Sequence, residues 1–219
     1  MDRLFELGSE FWVAAAETLY MVALTLLVGG LFGLLLGIVL YTTRPGSLLS
    51  NKPVFNIVNV VINFFRPIPF IIFIAAVQPL SRLVIGTGIG NDAMIFALSI
   101  ASSFAISRIV EQNLLTVSPG VIEAARAMGA GPIRILRTVV LPEALGPLIL
   151  GYTFVLVALV DMTAVAGAVG GGGLGAFALT YGYRQFEPVV TWAAVILIVV
   201  FVQLAQFLGN WLARKVMRR

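Results

Sequence analysis

Five almost uninterrupted apolar stretches dominate the chain, over roughly residues 19–40, 54–80, 93–109, 145–169 and 189–212. A helix needs roughly 20 such residues to cross a hydrocarbon layer about 30 Å thick, and only the third stretch is short of that. No water is present in that layer, so every backbone N–H and C=O must find a partner within the protein, which leaves helices and closed barrels as spanning structures. The apolar runs are continuous rather than alternating, which selects helices. Composition agrees: 60% of residues are hydrophobic and 11% charged, against about 25% charged in a soluble domain. The expected fold is an all-α membrane protein with five transmembrane helices, forming one domain over residues 1–219.

Lys and Arg collect in cytoplasmic loops and so set the orientation. Arg44 and Lys52 follow the first span, Arg108, Arg126, Arg134 and Arg137 the third, and Arg214, Lys215, Arg218 and Arg219 the fifth. The N-terminal segment and the second and fourth loops hold one each, Arg3, Arg82 and Arg184. The N-terminus is therefore expected outside and the C-terminus in the cytoplasm, as five crossings require. The acidic start (Asp2, Glu6, Glu10, Glu17) and the length of the first run argue against a cleaved signal peptide.

Cys and His are both absent, which removes thiol nucleophiles, imidazole bases and the usual zinc, copper and haem ligands. The net charge of +4 is spread over short loops and the tail with no aromatic-interleaved stripe, so nucleic acid is not an expected partner; lipid is. With no clustered carboxylates in the spans either, a membrane enzyme is the least supported reading.

Within the spans, Gly29, Gly33 and Gly37 recur every four residues and open a groove for a neighbouring helix. Pro67 and Pro69, just after Arg66, remove two N–H donors and are expected to kink or break the second span. Arg66 is costly at the bilayer centre and is expected near the cytoplasmic end, snorkelling or lining water. Asp161 reads as the one acid well inside a span. It lies roughly 24 Å along its helix from Leu145, towards the outer surface. Two readings stay open for it. One is a carboxylate at the outer interface or bonded to a neighbouring helix; the other is a group bordering a translocation cavity with Met162, Thr163 and Val165.

Between the third and fourth spans lies the one substantial cytoplasmic segment, residues 118–142. Ser118 and Pro119 suit the N-cap and first position of a short helix, and Gly129 suits the left-handed residue that ends it. Pro132 starts a second, through about Val140, with Leu141 and Pro142 as its stop. Ala124 and Ala125 leave the backbone of the first helix approachable, and Glu123 and Arg126 are one turn apart. In the second, Ile133, Leu136 and Val140 form an apolar stripe beside Arg134 and Arg137. By periodicity alone, such a pair suits a lipid surface or a protein groove equally.

Glu123-Ala124-Ala125, then Gly129, then Leu141-Pro142 resembles the EAA motif of ABC-importer permeases, with Val139 where that pattern often has isoleucine. The resemblance implies a coupling helix seated in a groove of an ATPase subunit, with Glu123, Ala124, Ala125 and Gly129 docking and Arg126, Leu141 and Pro142 in the same segment. Three further runs, Leu40 to Gly46, Phe65 to Ile71 and Gly167 to Gly175 followed by Tyr181-Gly182-Tyr183, are similar to methionine-importer permeases. That family implies a homodimer, two ATPase subunits and an extracytoplasmic substrate-binding lipoprotein. No G-x-x-x-x-G-K-[ST] phosphate loop occurs, so ATP-Mg is expected on the partner ATPase and no cofactor on this chain. Gly170, Gly172 and Gly175 fit G-x-G-x-x-G. They lack the strand–turn–helix context of a nucleotide site and are expected to turn the chain at the outer mouth. An importer of another amino acid or an osmoprotectant, and a passive channel or scaffold, are the alternatives.

Overall fold

In a computed structural model, residues 6–217 are described; Asp2, Arg3, Arg218 and Arg219, used above for the terminal charge balance, lie outside them. The elements are all helical: α1 Gly8–Thr43, α2 Lys52–Phe65, α3 Phe70–Ile85, α4 Asn91–Leu114, α5 Pro119–Ala127, α6 Pro132–Ile135, α7 Leu141–Ala168, α8 Gly173–Phe177 and α9 Pro188–Met217. Stretches of π-helix, Leu136–Val140 and Ala178–Tyr183, follow α6 and α8.

The three glycines of α1 decide how the bundle assembles. A methyl group at Gly29 would strike Ser102 Oγ, one at Gly33 would lie 2.6 Å from Ile106 Cβ, and one at Gly37 would lie 2.5 Å from Val110 Cβ. As α1 advances four residues its partner on α4 advances four, so the helices run parallel with backbones in close approach. Serines line the α4 side of the seam. Ser102, Ser103 and Ser107 each donate to a carbonyl of their own helix (Ser99, Ile100 and Phe104), which satisfies those three hydroxyls, while the buried Ser99 hydroxyl has no partner among the described residues. On the other side α7 runs antiparallel to α4: Gly151 of α7 approaches Ile109, and Gly171, just past the end of α7, approaches Met94. In turn α9 runs antiparallel to α7, Gly209 against Thr153 and Gly146 against Met217.

Because α1 and α4 are parallel, the chain must recross the membrane between them, and α2 with α3 makes that crossing. Either helix alone is too short, and they are bent by 112° at the Arg66–Pro69 break, where Pro67 and Pro69 supply no N–H. Together with α1, α4, α7 and α9, each long and apolar enough to span, this gives five crossings. The expectation for the third run is corrected: α4 covers 24 residues rather than 17, because polar Arg108 and Glu111 are held inside the helix instead of ending it.

Arg66 is also corrected. Phe65, beside it, stacks on Phe104 with ring centroids 5.1 Å apart, roughly midway along α4. Arg66 thus lies at the break in mid-crossing and is exposed, not near the cytoplasmic end.

Candidate functional site

Helix α5 begins at Pro119 and ends in a complete Schellman turn. Gly129 takes φ +81°, its N–H donates to Arg126 O at 2.9 Å, and the Ala130 N–H donates to Ala125 O at 3.1 Å, satisfying carbonyls the helix end would orphan. Ser118 sits at the N-cap, but its hydroxyl caps nothing.

The second expected boundary fails. Leu141-Pro142 does not stop the second short helix; residues 132–168 form one continuous span. Pro142 has no N–H for the carbonyl four residues back and would crowd it. The preceding turn widens to π geometry, with Leu141 N–H reaching Leu136 O five residues back, and this carries the helix past the proline. The segment after Gly129 is therefore the cytoplasmic end of a transmembrane helix.

The two alanines face opposite ways. Ala124 is exposed, alongside Val121 and Met128, the latter 82% exposed; these three recur at helical spacing and form an outward apolar face. Ala125 is 4% exposed and belongs to the core cluster that includes Tyr41, Val110, Val117, Ile135 and Val140. Its expected role as a docking contact is thus corrected, because the side chain is used inside the protomer. The apolar stripe is corrected likewise: Ile133 is exposed, while Ile135 and Val140 are buried and Leu136 packs at the edge of the same cluster. Glu123 and Arg126 are both exposed and form no ion pair with each other. The segment therefore presents one face outward and inserts the other into the core that holds α1, α4 and α7 together.

On α7, the candidate pathway residues separate. Asp161 is exposed and makes no hydrogen bond or ion pair among the described residues. Val165, one turn on, is half-buried on the same side. Met162 packs against the core. Thr163 is 2% exposed and donates to Val160 O at 2.7 Å. The outward stripe of α7 is thus Leu150, Phe154, Ala158 and Asp161. Asp161 lies nearer the outer end of its helix than the cytoplasmic end. It is seven residues, about 10 Å, from the end of α7 at Ala168. No hydrogen bond joins Arg66 to Asp161.

Asp161 is not the sole acid in a span. Glu111, with a side chain 5% exposed, accepts from Arg108 Nη1 at 2.7 Å and lies 3.7 Å from Arg44. Arg108 Nη2 donates to Asn63 Oδ1 at 2.7 Å and to Asn59 Oδ1, tying α2 to α4. Asn59 and Asn63, four apart in an apolar run, were the available signal. At the outer end, Glu17 and Thr18 of α1 and Asn91 of α4 accept from the N–H groups of Gly173 (2.7 Å), Leu174 (2.8 Å) and Gly172 (2.7 Å). Gly90 N–H donates to Gly170 O at 2.9 Å. The glycine run thus turns the chain at the outer mouth, pinned by side chains from two other helices.

A family model described as "Binding-protein-dependent transport system inner membrane component" matches residues 29–218. A probable D-methionine transport system permease protein of Vibrio cholerae is 40% identical over 98% of this chain and 96% of its own length. A methionine import system permease protein of Bacillus subtilis is 39% identical over 96% and 95%. Among solved structures, an inward-facing MetNI methionine ABC transporter superposes with a TM-score of 0.91 at 41% identity, covering 94% of this chain and 95% of that one. An amino acid ABC transporter solved with histidines, 22% identical, shares the fold with a TM-score of 0.80. The chain therefore belongs to the family of binding-protein-dependent transport system inner membrane components, and is the non-catalytic, multi-pass permease subunit of an ABC importer in the bacterial inner membrane.

Proposed function

We propose that the chain forms the translocation pathway of a methionine importer. It works as a homodimer on two ATPase subunits that hydrolyse ATP-Mg, with an extracytoplasmic lipoprotein delivering the cargo. The observation that carries the mechanism is the two-faced coupling segment. Val121, Ala124 and Met128 face outward for the ATPase groove, while Ala125, Ile135 and Val140 are packed with α1, α4 and α7. Dense cores move as blocks rather than deform. When the ATPases close and draw their two coupling helices together, each block rotates and the pathway opens outward; hydrolysis resets it.

The outward stripe of α7 supports the cargo reading. Asp161 supplies an unpaired carboxylate for a substrate ammonium, Phe154 and Val165 give apolar surface for a thioether, and the exposed Arg66 provides a cation for the substrate carboxylate. A carboxylate inside a span costs up to about 2.5–3.5 kcal/mol to insert, and no partner among the described residues offsets that cost. Replacing Asp161 with Asn in the reconstituted transporter is expected to lower methionine uptake at least tenfold while ATPase assembly persists. Unchanged uptake rejects the charge requirement.

A further inference from the structure

We infer that each protomer carries a phospholipid-binding site on the back of α7, with one acyl chain between α1, α7 and α9 and a zwitterionic headgroup at the cytoplasmic end. A cavity of about 530 Å³ lies there, walled by leucines of α1, α7 and α9 together with Ile149, Tyr152, Thr153, Ala205 and Gly209. Its two hydroxyls are already used: Tyr152 donates to Gly30 O and Thr153 to Ile149 O. The wall therefore offers its occupant hydrocarbon and nothing polar.

The groove is long enough for an acyl chain. From Leu141 to Leu156 the groove runs fifteen residues of α7, about 22 Å, which exceeds the roughly 15 Å of one leaflet's hydrocarbon. Orientation points the same way. Asp161 is nine residues, two and a half turns, from Tyr152, so the groove and the Asp161 stripe lie on opposite faces of α7. A second copy that meets this one across the pathway leaves the groove to lipid, a step that rests on the pathway reading above.

Charge supplies the headgroup. Leu145 is shared with a second cavity at the cytoplasmic end, lined also by Pro142, Glu143, Gly146, Lys215, Val216 and Met217. Lys215 Nζ is held 5.1 Å above the Trp211 ring, and both Lys215 and Glu143 are exposed. One cation and one carboxylate at the mouth of an apolar groove match a headgroup that carries a phosphate and a primary ammonium, as an ethanolamine phospholipid does. A purely anionic headgroup would meet Glu143 unfavourably.

Native mass spectrometry of the intact permease–ATPase complex, exchanged into equal amounts of ethanolamine and glycerol phospholipids, tests this. One retained phospholipid per permease copy is expected, with at least a fivefold preference for ethanolamine. Ala205→Trp should cut retention at least tenfold by filling the groove, and Glu143→Gln should erase the headgroup preference. The inference is overturned if no lipid survives exchange, if Ala205→Trp retains lipid as wild type does, or if Ala205→Cys cross-links two copies. Should Ala205→Trp not assemble, an unaltered preference in both Glu143→Gln and Lys215→Gln also overturns it. Failure of the methionine reading alone leaves all of these outcomes unchanged.

Discussion

Glutamate placed at each of the two adjacent alanines of α5 should fail in different ways. Ala124 is exposed, and an exposed substitution away from special features stays within about 0.5 kcal/mol of neutral in the free chain. In the docked state the same carboxylate enters the partner groove, where a disrupted central contact costs about 2–4 kcal/mol. At 1.4 kcal/mol per decade that is roughly a 30- to 700-fold loss of affinity per interface. Ala125 sits among Tyr41, Val117, Ile135 and Val140 at 4% exposure. A carboxylate there is buried, unpaired and too large, a combination expected to exceed about 4 kcal/mol within the permease itself. Copurification with the ATPase and thermal unfolding of the isolated permease separate the two. Ala124→Glu should unfold as wild type but lose the ATPase; Ala125→Glu should unfold at markedly lower temperature even without partner. If Ala124→Glu copurifies at wild-type stoichiometry, or Ala125→Glu is as stable as wild type, the division of the segment into an outward and an inward face is wrong.

Gly33→Leu drives a side chain into Ile106, 2.6 Å from where its Cβ would stand; about 1–3 kcal/mol of overpacking should appear as a lowered unfolding midpoint in detergent. Arg108→Met leaves Glu111 buried with only the 3.7 Å Arg44 contact. About 3–5 kcal/mol should be lost, largely recovered in Arg108→Met with Glu111→Leu, as a double-mutant thermal series would read. Glu17→Ala removes the acceptor of the Gly173 N–H at a cost of about 1–3 kcal/mol, and should speed hydrogen exchange at Gly173 and Leu174 relative to the α4 interior.

The crossing count, the break at Pro67 and Pro69 and the glycine seam of α1 were legible because each rests on local chemistry: apolar length, missing N–H donors and missing side chains. The Gly129 elbow was legible for the same reason. What local pattern did not reveal was tertiary. A leucine–proline pair after a short helix reads as a stop, yet the π turn before Pro142 lets the helix run on. Two adjacent alanines read alike, and only the packing of Ile135 and Val140 against α4 determines which one is buried. Arg108 and Glu111 look like loop charges because, beyond their own ion pair, the partners that hold them inside the helix, Asn59, Asn63 and Arg44, are remote in the sequence.

Uptake of labelled methionine into proteoliposomes holding the complete complex, with its ATPase and its extracytoplasmic binding protein, tests the central claim most directly. Accumulation that needs ATP inside the ATPase-facing compartment, that an excess of unlabelled methionine abolishes, and that Ala124→Glu eliminates is the predicted result. Equal movement of methionine without ATP, or ATP-driven uptake that methionine fails to compete, would contradict it.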